Sequence, residues 1–166
     1  ALFDRVALVG VGLIGSSLSH IMRREKLAGH IAGYARSPET RAKAVEIGLV
    51  DSIHESAAEA VRDADLVILC APVGVYGVLA AEIGPALARG AILTDVGSVK
   101  AQAASDLSAA SDGRVHIIPG HPIAGTEQSG PEAGFPSLFR GAWHILTPLP
   151  DGDADYLAAV ESLSAF

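Results

Sequence analysis

Short, unbroken apolar runs alternate along the chain with stretches whose apolar residues recur at helical spacing. The runs are Val6-Ala7-Leu8-Val9, Ile31 to Ala35, Leu66 to Ala71, Ala91 to Asp95, Val115 to Ile118 and Ala142 to Thr147, and they predict strands. Between the first two, Leu13 to Lys26 puts Ile14, Leu18 and Ile21 on one helical face. Arg23, Arg24 and Glu25 trail toward solvent, and the basic pair complements the helix C-terminus. Ser37-Pro38-Glu39-Thr40 starts a second helix, with Ser37 as N-cap and Pro38 at the first helical position, and Gly48 ends it. Val73 to Arg89, Lys100 to Ala110 and Ala154 to Phe166 carry the remaining helical patterns. No repeat, low-complexity tract or linker interrupts the series.

Strands alternating with helices imply a mostly parallel sheet covered on both sides, and right-handed crossovers then favour an α/β doubly wound, Rossmann-like fold. The unbroken apolar run at Leu66–Ala71 fits a strand buried on both faces. The 166 residues suit one domain spanning 1–166. Ligands of such sheets bind at the carboxyl ends of the strands. The loops after Val9, Ala35, Ala71, Asp95 and Ile118 are therefore the functional ones.

Composition narrows the function. With 49% apolar and 19% charged residues the chain is not disordered. A net charge of −7 without any Lys/Arg cluster excludes a nucleic-acid partner. Cys70 is the only cysteine, so no internal disulfide exists, and it reads as a buried strand thiol. The longest apolar stretch, Leu66 to Ala81, is broken by Pro72, Gly74 and Gly77 and is short for a membrane span. The N-terminus mimics a signal segment only superficially, since Asp4 precedes its apolar run and Arg23-Arg24 follow it; the expected location is cytoplasmic. The chain begins without Met and ends inside a helical pattern, so the expectation is a piece of a longer protein. No His/Cys/Asp spacing resembles a metal-ligand set.

The chemistry concentrates in two motifs. Gly10-Val11-Gly12-Leu13-Ile14-Gly15 follows a strand and opens a helix, the context a dinucleotide loop requires. Gly10 permits the tight turn, Gly12 lets the backbone approach a pyrophosphate, and Gly15 lets the helix pack close to the sheet. The helix N-terminus, at Leu13 and Ile14, offers N–H groups and partial positive charge. Ala71, Pro72 and Val73, at a neighbouring strand end, join the cofactor site. The second strand ends in Tyr34-Ala35-Arg36-Ser37, without the carboxylate that usually holds the ribose 2′-OH of NAD. Arg36 and Ser37 suit a 2′-phosphate, Arg41 one turn on assists, and the expected cofactor is NADP rather than NAD.

The second motif is Gly120-His121-Pro122-Ile123-Ala124-Gly125-Thr126-Glu127-Gln128-Ser129-Gly130. His121 follows the strand Val115–Ile118 and accepts a proton as hydride leaves a carbinol carbon. His20, His30 and His54 fall on helix or loop positions without convergent partners, while His116 and His144 lie within apolar strands, where structural histidines are usual. Asp95-Val96-Gly97-Ser98-Val99-Lys100 follows another strand; Gly97 allows close approach, and Ser98 serves the nicotinamide region, the next helix as N-cap, or both. Thr126, Glu127, Gln128 and Ser129 read as an exposed turn or as a substrate rim, with Glu127 tuning charge or hydrogen bonding.

Asp95-Val96-Gly97-Ser98-Val99-Lys100 followed by His121-Pro122-Ile123-Ala124-Gly125-Thr126-Glu127 resembles the prephenate/arogenate (cyclohexadienyl) dehydrogenases of tyrosine biosynthesis. The resemblance runs from the glycine loop to about Trp143. It implies an NAD(P)-dependent oxidative decarboxylation of a small dianionic cyclohexadienyl substrate. In it His121 takes the 4-hydroxyl proton, and Ser98 hydrogen-bonds that hydroxyl and orients the histidine. It also implies a second, helical domain that builds a homodimer and supplies an arginine for the substrate carboxylates. That domain is missing after Phe166, leaving Lys100 and Arg140 as local cations, so the expected behaviour of this piece is cofactor binding with poor turnover. The rival enzyme reading is a hydroxyacid dehydrogenase of the 6-phosphogluconate or 3-hydroxyisobutyrate type; a rival of another class is a non-catalytic dinucleotide sensor, against which His121 and Ser98 argue.

Overall fold

The computed structural model describes residues 1–150 and 152–166, without the side chains of Lys100 and Ala110. Among the described residues, six strands form one parallel sheet: β1 (Phe3–Val9), β2 (Ala28–Tyr34), β3 (Ser52–His54), β4 (Leu66–Leu69), β5 (Ile92–Asp95) and β6 (His116–Ile117). Their spatial order is β3-β2-β1-β4-β5-β6. The chain thus winds outward one way from β1, returns, and winds the other way from β4, which is the doubly wound topology.

Alternation along the strands builds two cores. Val67, Leu69 and Leu93 point to one side, under α3 (Ala57–Ala60), α4 (Tyr76–Ile83) and α5 (Lys100–Ser111), where Tyr76, Ile83 and Leu107 complete the layer. Leu66, Ile68 and Leu8 point to the other, under α1 (Leu13–Glu25), α2 (Pro38–Glu46) and α6 (Ala154–Ser164), with Met22, Ala44 and Leu163. The Tyr156 hydroxyl pins α6 to the sheet: it donates to the Ile117 carbonyl and accepts the Leu149 N–H, both at 2.8 Å. The Ser37 Oγ caps α2 by accepting the Thr40 N–H at 3.1 Å.

Several elements differ from the sequence pattern. β3 and α3, of three and four residues, are too short to show a period. Val73 to Arg89 is not one helix, because α4 ends at Ile83 and Gly84-Pro85 turns the chain into a 3₁₀ turn. A separate antiparallel pair, β7 (Gly120–Pro122) with β8 (His144–Leu146), takes up the second motif. His30 and His54 lie on β2 and β3 rather than in loops, and both ring Nε2 atoms meet the Ser52 hydroxyl, at 2.9 and 3.1 Å. His144 sits on β8 but is exposed. Cys70 lies just past β4 and is half-buried; burial and the nearby Asp95 charge push its thiol far up, so it is inert as a nucleophile. Among the described residues no helix is long and apolar enough to cross a membrane, and no group of three or more His, Cys, Asp or Glu gathers in a metal-binding arrangement.

The Thr94 hydroxyl is buried in β5 with no hydrogen-bond partner among the described residues. An orphaned hydroxyl costs about 1–3 kcal/mol. Thr94→Val, of nearly equal shape, should therefore raise the melting temperature by a few degrees, read by differential scanning calorimetry. A lower melting temperature would show that the hydroxyl is satisfied in solution.

Candidate active site

The register sets Val9 opposite Tyr34 and Leu69, and Leu69 opposite Asp95. The carboxyl ends of β1, β2, β4 and β5 are therefore level, and the loops that leave them line one edge. The strand order reverses between β1 and β4, so the crevice for a ligand opens there. Gly10 holds φ +112°, and a Cβ on it would meet the Cys70 carbonyl oxygen at 2.8 Å, so the loops after β1 and β4 are locked side by side. A Cβ on Gly15 would run into the Gly10 carbonyl oxygen.

Gly12 differs from both, because nothing lies within 4 Å of a Cβ built there. It is the N-cap of α1, no side chain caps the helix, and no acidic residue stands in the first turn. The opening N–H groups of α1, Leu13 and Ile14 among them, lack intrahelical acceptors. Open space, free donors and the positive end of a helix dipole fit a pyrophosphate. Ala71 to Val73 continue the same edge beyond β4, Pro72 leading into a 3₁₀ turn at Val73–Val75.

At the end of β2 the residues divide. Arg36 is exposed and its side chain is available to a ligand. The Ser37 Oγ is committed: besides capping α2 it donates to the Glu39 carboxylate at 2.7 Å, and that bond holds the Glu39 carboxyl below the usual carboxylate range. Arg41 braces the loop instead of reaching outward. Its guanidinium donates to the Ala35 and Arg36 carbonyls at 2.9 and 3.0 Å and meets Glu55 at 3.4 Å.

Beyond β5, Ser98 is exposed but does not cap α5: the N-cap position is Val99, and no side chain bonds there. Gly97 is closely packed by the protein itself. A Cβ on it would meet Val73 at 2.6 Å and the Asp95 carboxylate and Tyr76 hydroxyl at 3.0 Å, so its smallness serves Val73, Asp95 and Tyr76 rather than a cofactor.

His121 is half-buried on β7, opposite Ile145 of β8, and not on a loop. Strand alternation gives its neighbours Gly120 and Pro122 the other face. On that other face lies a cavity of about 610 Å³ between α1, α6 and β8, lined by Pro122, His144, Arg24, Arg140, Thr94, Asp95, Ser164 and apolar side chains. Arg140 therefore stands on the side of the pair away from His121 and is not brought to it; the Lys100 side chain lies outside the described residues. Thr126, Glu127, Gln128 and Ser129 are exposed, and the first three border an open hollow with Gly125 and Phe135. Phe135 ties this hollow to α1: its N–H donates to the Ser17 Oγ at 3.1 Å, and a Cβ on Gly134 would strike Ser16. The polar rim is thus seated beside the first turns of the helix that opens at Gly12.

Asp95 is the residue that the sequence pattern undervalues. It is fully buried at the end of β5, and its carboxylate accepts the Gly97 N–H at 2.9 Å and the Gly120 N–H at 3.1 Å. A lone acidic residue closing an apolar strand is the available signal, but its second partner lies 25 residues away.

Residues 18–165 match the family model described as prephenate dehydrogenase, nucleotide-binding domain. The chain belongs to this prephenate dehydrogenase family. The glycine loop lies before the matched span, so its assignment rests on the geometry above. A cyclohexadienyl dehydrogenase of Zymomonas mobilis is 40% identical over 146 residues, which cover 88% of this chain and 50% of that protein. Prephenate dehydrogenase from Aquifex aeolicus, solved in complex with hydroxyphenyl propionate and NAD+, superposes with a TM-score of 0.84 at 36% identity, covering 95% of this chain and 55% of that one. Synechocystis arogenate dehydrogenase does so with a TM-score of 0.84 at 34% identity, covering 96% and 55%. The chain spans about half the length of the curated prephenate dehydrogenase relatives it matches.

Proposed function

We propose that the chain is the cofactor-binding part of an NAD(P)-dependent enzyme that oxidatively decarboxylates prephenate or arogenate. The observation that carries this reading is the seat of His121, in a chain of this family. The residue sits at the carboxyl edge of the sheet, one position from an amide anchored on the end of β5.

A bound nicotinamide supplies the acceptor for the hydride that leaves the ring carbon bearing the 4-hydroxyl. His121 takes the hydroxyl proton, and Ser98 hydrogen-bonds the same oxygen so that its lone pair stays aligned. The bond to the ring carboxylate then breaks, its electron pair enters the ring, carbon dioxide leaves, and the 4-oxygen takes back the proton held by His121, so that the ring becomes a phenol. The product is 4-hydroxyphenylpyruvate from prephenate or tyrosine from arogenate. Thr126, Glu127, Gln128 and Ser129 form the substrate rim. With Arg140 on the far face, Lys100 is the local cation this reading retains for a dianion. A second, helical domain and a homodimer contact are part of this reading for the full-length protein; the chain spans 50% of the Zymomonas mobilis relative.

NADP is favoured over NAD, with Arg36 as the residue that meets the 2′-phosphate. Ser37 is already bonded twice and Arg41 is turned inward, so Arg36 carries this preference alone. Steady-state kinetics of the full-length protein with both substrates and both nicotinamides test the reading. Arg36→Ala should lower kcat/KM with NADP about tenfold or more, roughly 1.4 kcal/mol, and leave NAD within about twofold. A wild-type preference for NAD above about tenfold would overturn the cofactor choice. Turnover of 3-hydroxyacids but of neither cyclohexadienyl compound would overturn the substrate.

A further inference from the structure

The reading of Ser98 and His121 as the reacting pair leaves open what fixes one against the other. They leave different elements, and neither is held by a cap or a helix of its own. One side chain touches the backbone of both. The Asp95 Oδ2 accepts the Gly97 N–H, one residue before Ser98, and the Oδ1 accepts the Gly120 N–H, one residue before His121.

We propose that Asp95 is a positioning residue, whose carboxylate sets the separation of Ser98 and His121 by pinning both backbones to the rigid end of β5. This inference rests on the proposed roles of Ser98 and His121. Three observations carry it. Asp95 sits in a strand whose other residues are buried, in register with Leu69 of the central β4, so the anchor itself does not move. Both pinned residues are glycines packed too tightly to slide. Gly97 lies against Val73, Tyr76 and the carboxylate, and Gly120 lies where a Cβ would meet the His144 Nε2 at 2.6 Å, the Asp95 carbonyl at 3.0 Å and the Thr94 hydroxyl at 3.1 Å. Finally, a buried carboxylate is costly unless charge-assisted hydrogen bonds satisfy it, and two donors on two oxygens are what a carboxylate offers and an amide does not. Asn in the same place would present one acceptor, and its NH2 would confront the other N–H.

The test uses the full-length protein, and His121→Asn is read first. If that variant turns over at the wild-type rate, the base assignment falls and takes this proposal with it. If it is slow, Asp95→Asn follows. The expected result is a kcat about 30-fold or more below wild type with dinucleotide Kd little changed, since misplacement of a reacting group costs rate rather than binding, and a melting temperature lowered by several degrees by the buried N–H left without an acceptor. In the His121→Asn background the same change should cost less than about threefold, because it acts through the histidine. A folded Asp95→Asn protein within about threefold of the wild-type kcat, or a loss undiminished in the double variant, overturns the proposal while leaving the base assignment standing. Should Asp95→Asn not fold, single-residue hydrogen exchange of the wild-type protein decides. Gly97 and Gly120 amides both slowed about a hundredfold or more support the anchor, and either one exchanging freely overturns it.

Discussion

His121→Asn should lower kcat by about 10²–10⁴-fold, the usual contribution of a positioned general base. Asn keeps the size and polarity of the side chain on β7 but does not take a proton from an alcohol. KM should change little, because the substrate is held by other groups, and a loss confined to kcat marks an interaction made in the transition state. Stopped assays of the wild type and the variant read both constants. A variant whose kcat barely moves would show that another group removes the proton.

Gly12→Ala and Gly15→Ala should fail in opposite ways. At Gly15 the added methyl meets the Gly10 carbonyl oxygen, a backbone atom that cannot swing aside, so the β1–α1 turn must deform. Overpacking of this kind costs about 1–3 kcal/mol, and the melting temperature should drop by several degrees. At Gly12 the methyl meets nothing within 4 Å, so the protein should fold and melt as wild type. That methyl stands instead where the pyrophosphate would approach the N-terminus of α1, and the dinucleotide Kd should rise by about tenfold or more, roughly 1.4 kcal/mol. Calorimetric titration beside a melting curve separates the two. Gly12→Ala binding at wild-type strength would move the phosphates away from this turn.

The contrast shows where local pattern is informative. The glycine loop, the N-cap at Ser37 and the strands that are apolar throughout follow from side chains acting on their own neighbours. Ser52-Ile53-His54 has one apolar residue and is a strand only because β2 offers an edge to pair with. Gly120-His121-Pro122 combines two poor strand formers, and its extended form depends on β8, whose His144 lies opposite Pro122. Ser98 looks like a cap after a strand. The helix begins at Lys100, as its pattern predicts, but Val99 and not Ser98 stands in the cap position. Arg41 and Arg140 carry the right charge for a phosphate or a carboxylate, but direction is a tertiary property. One is turned into its own loop and the other lines the far face of the β7–β8 pair.

The most direct measurement is the count of reduced nicotinamide and carbon dioxide formed per prephenate or arogenate consumed by the full-length protein. Equal amounts of both, abolished together by His121→Asn, are expected. Reduced nicotinamide without carbon dioxide, or neither product while the dinucleotide still binds, would contradict the proposed oxidative decarboxylation.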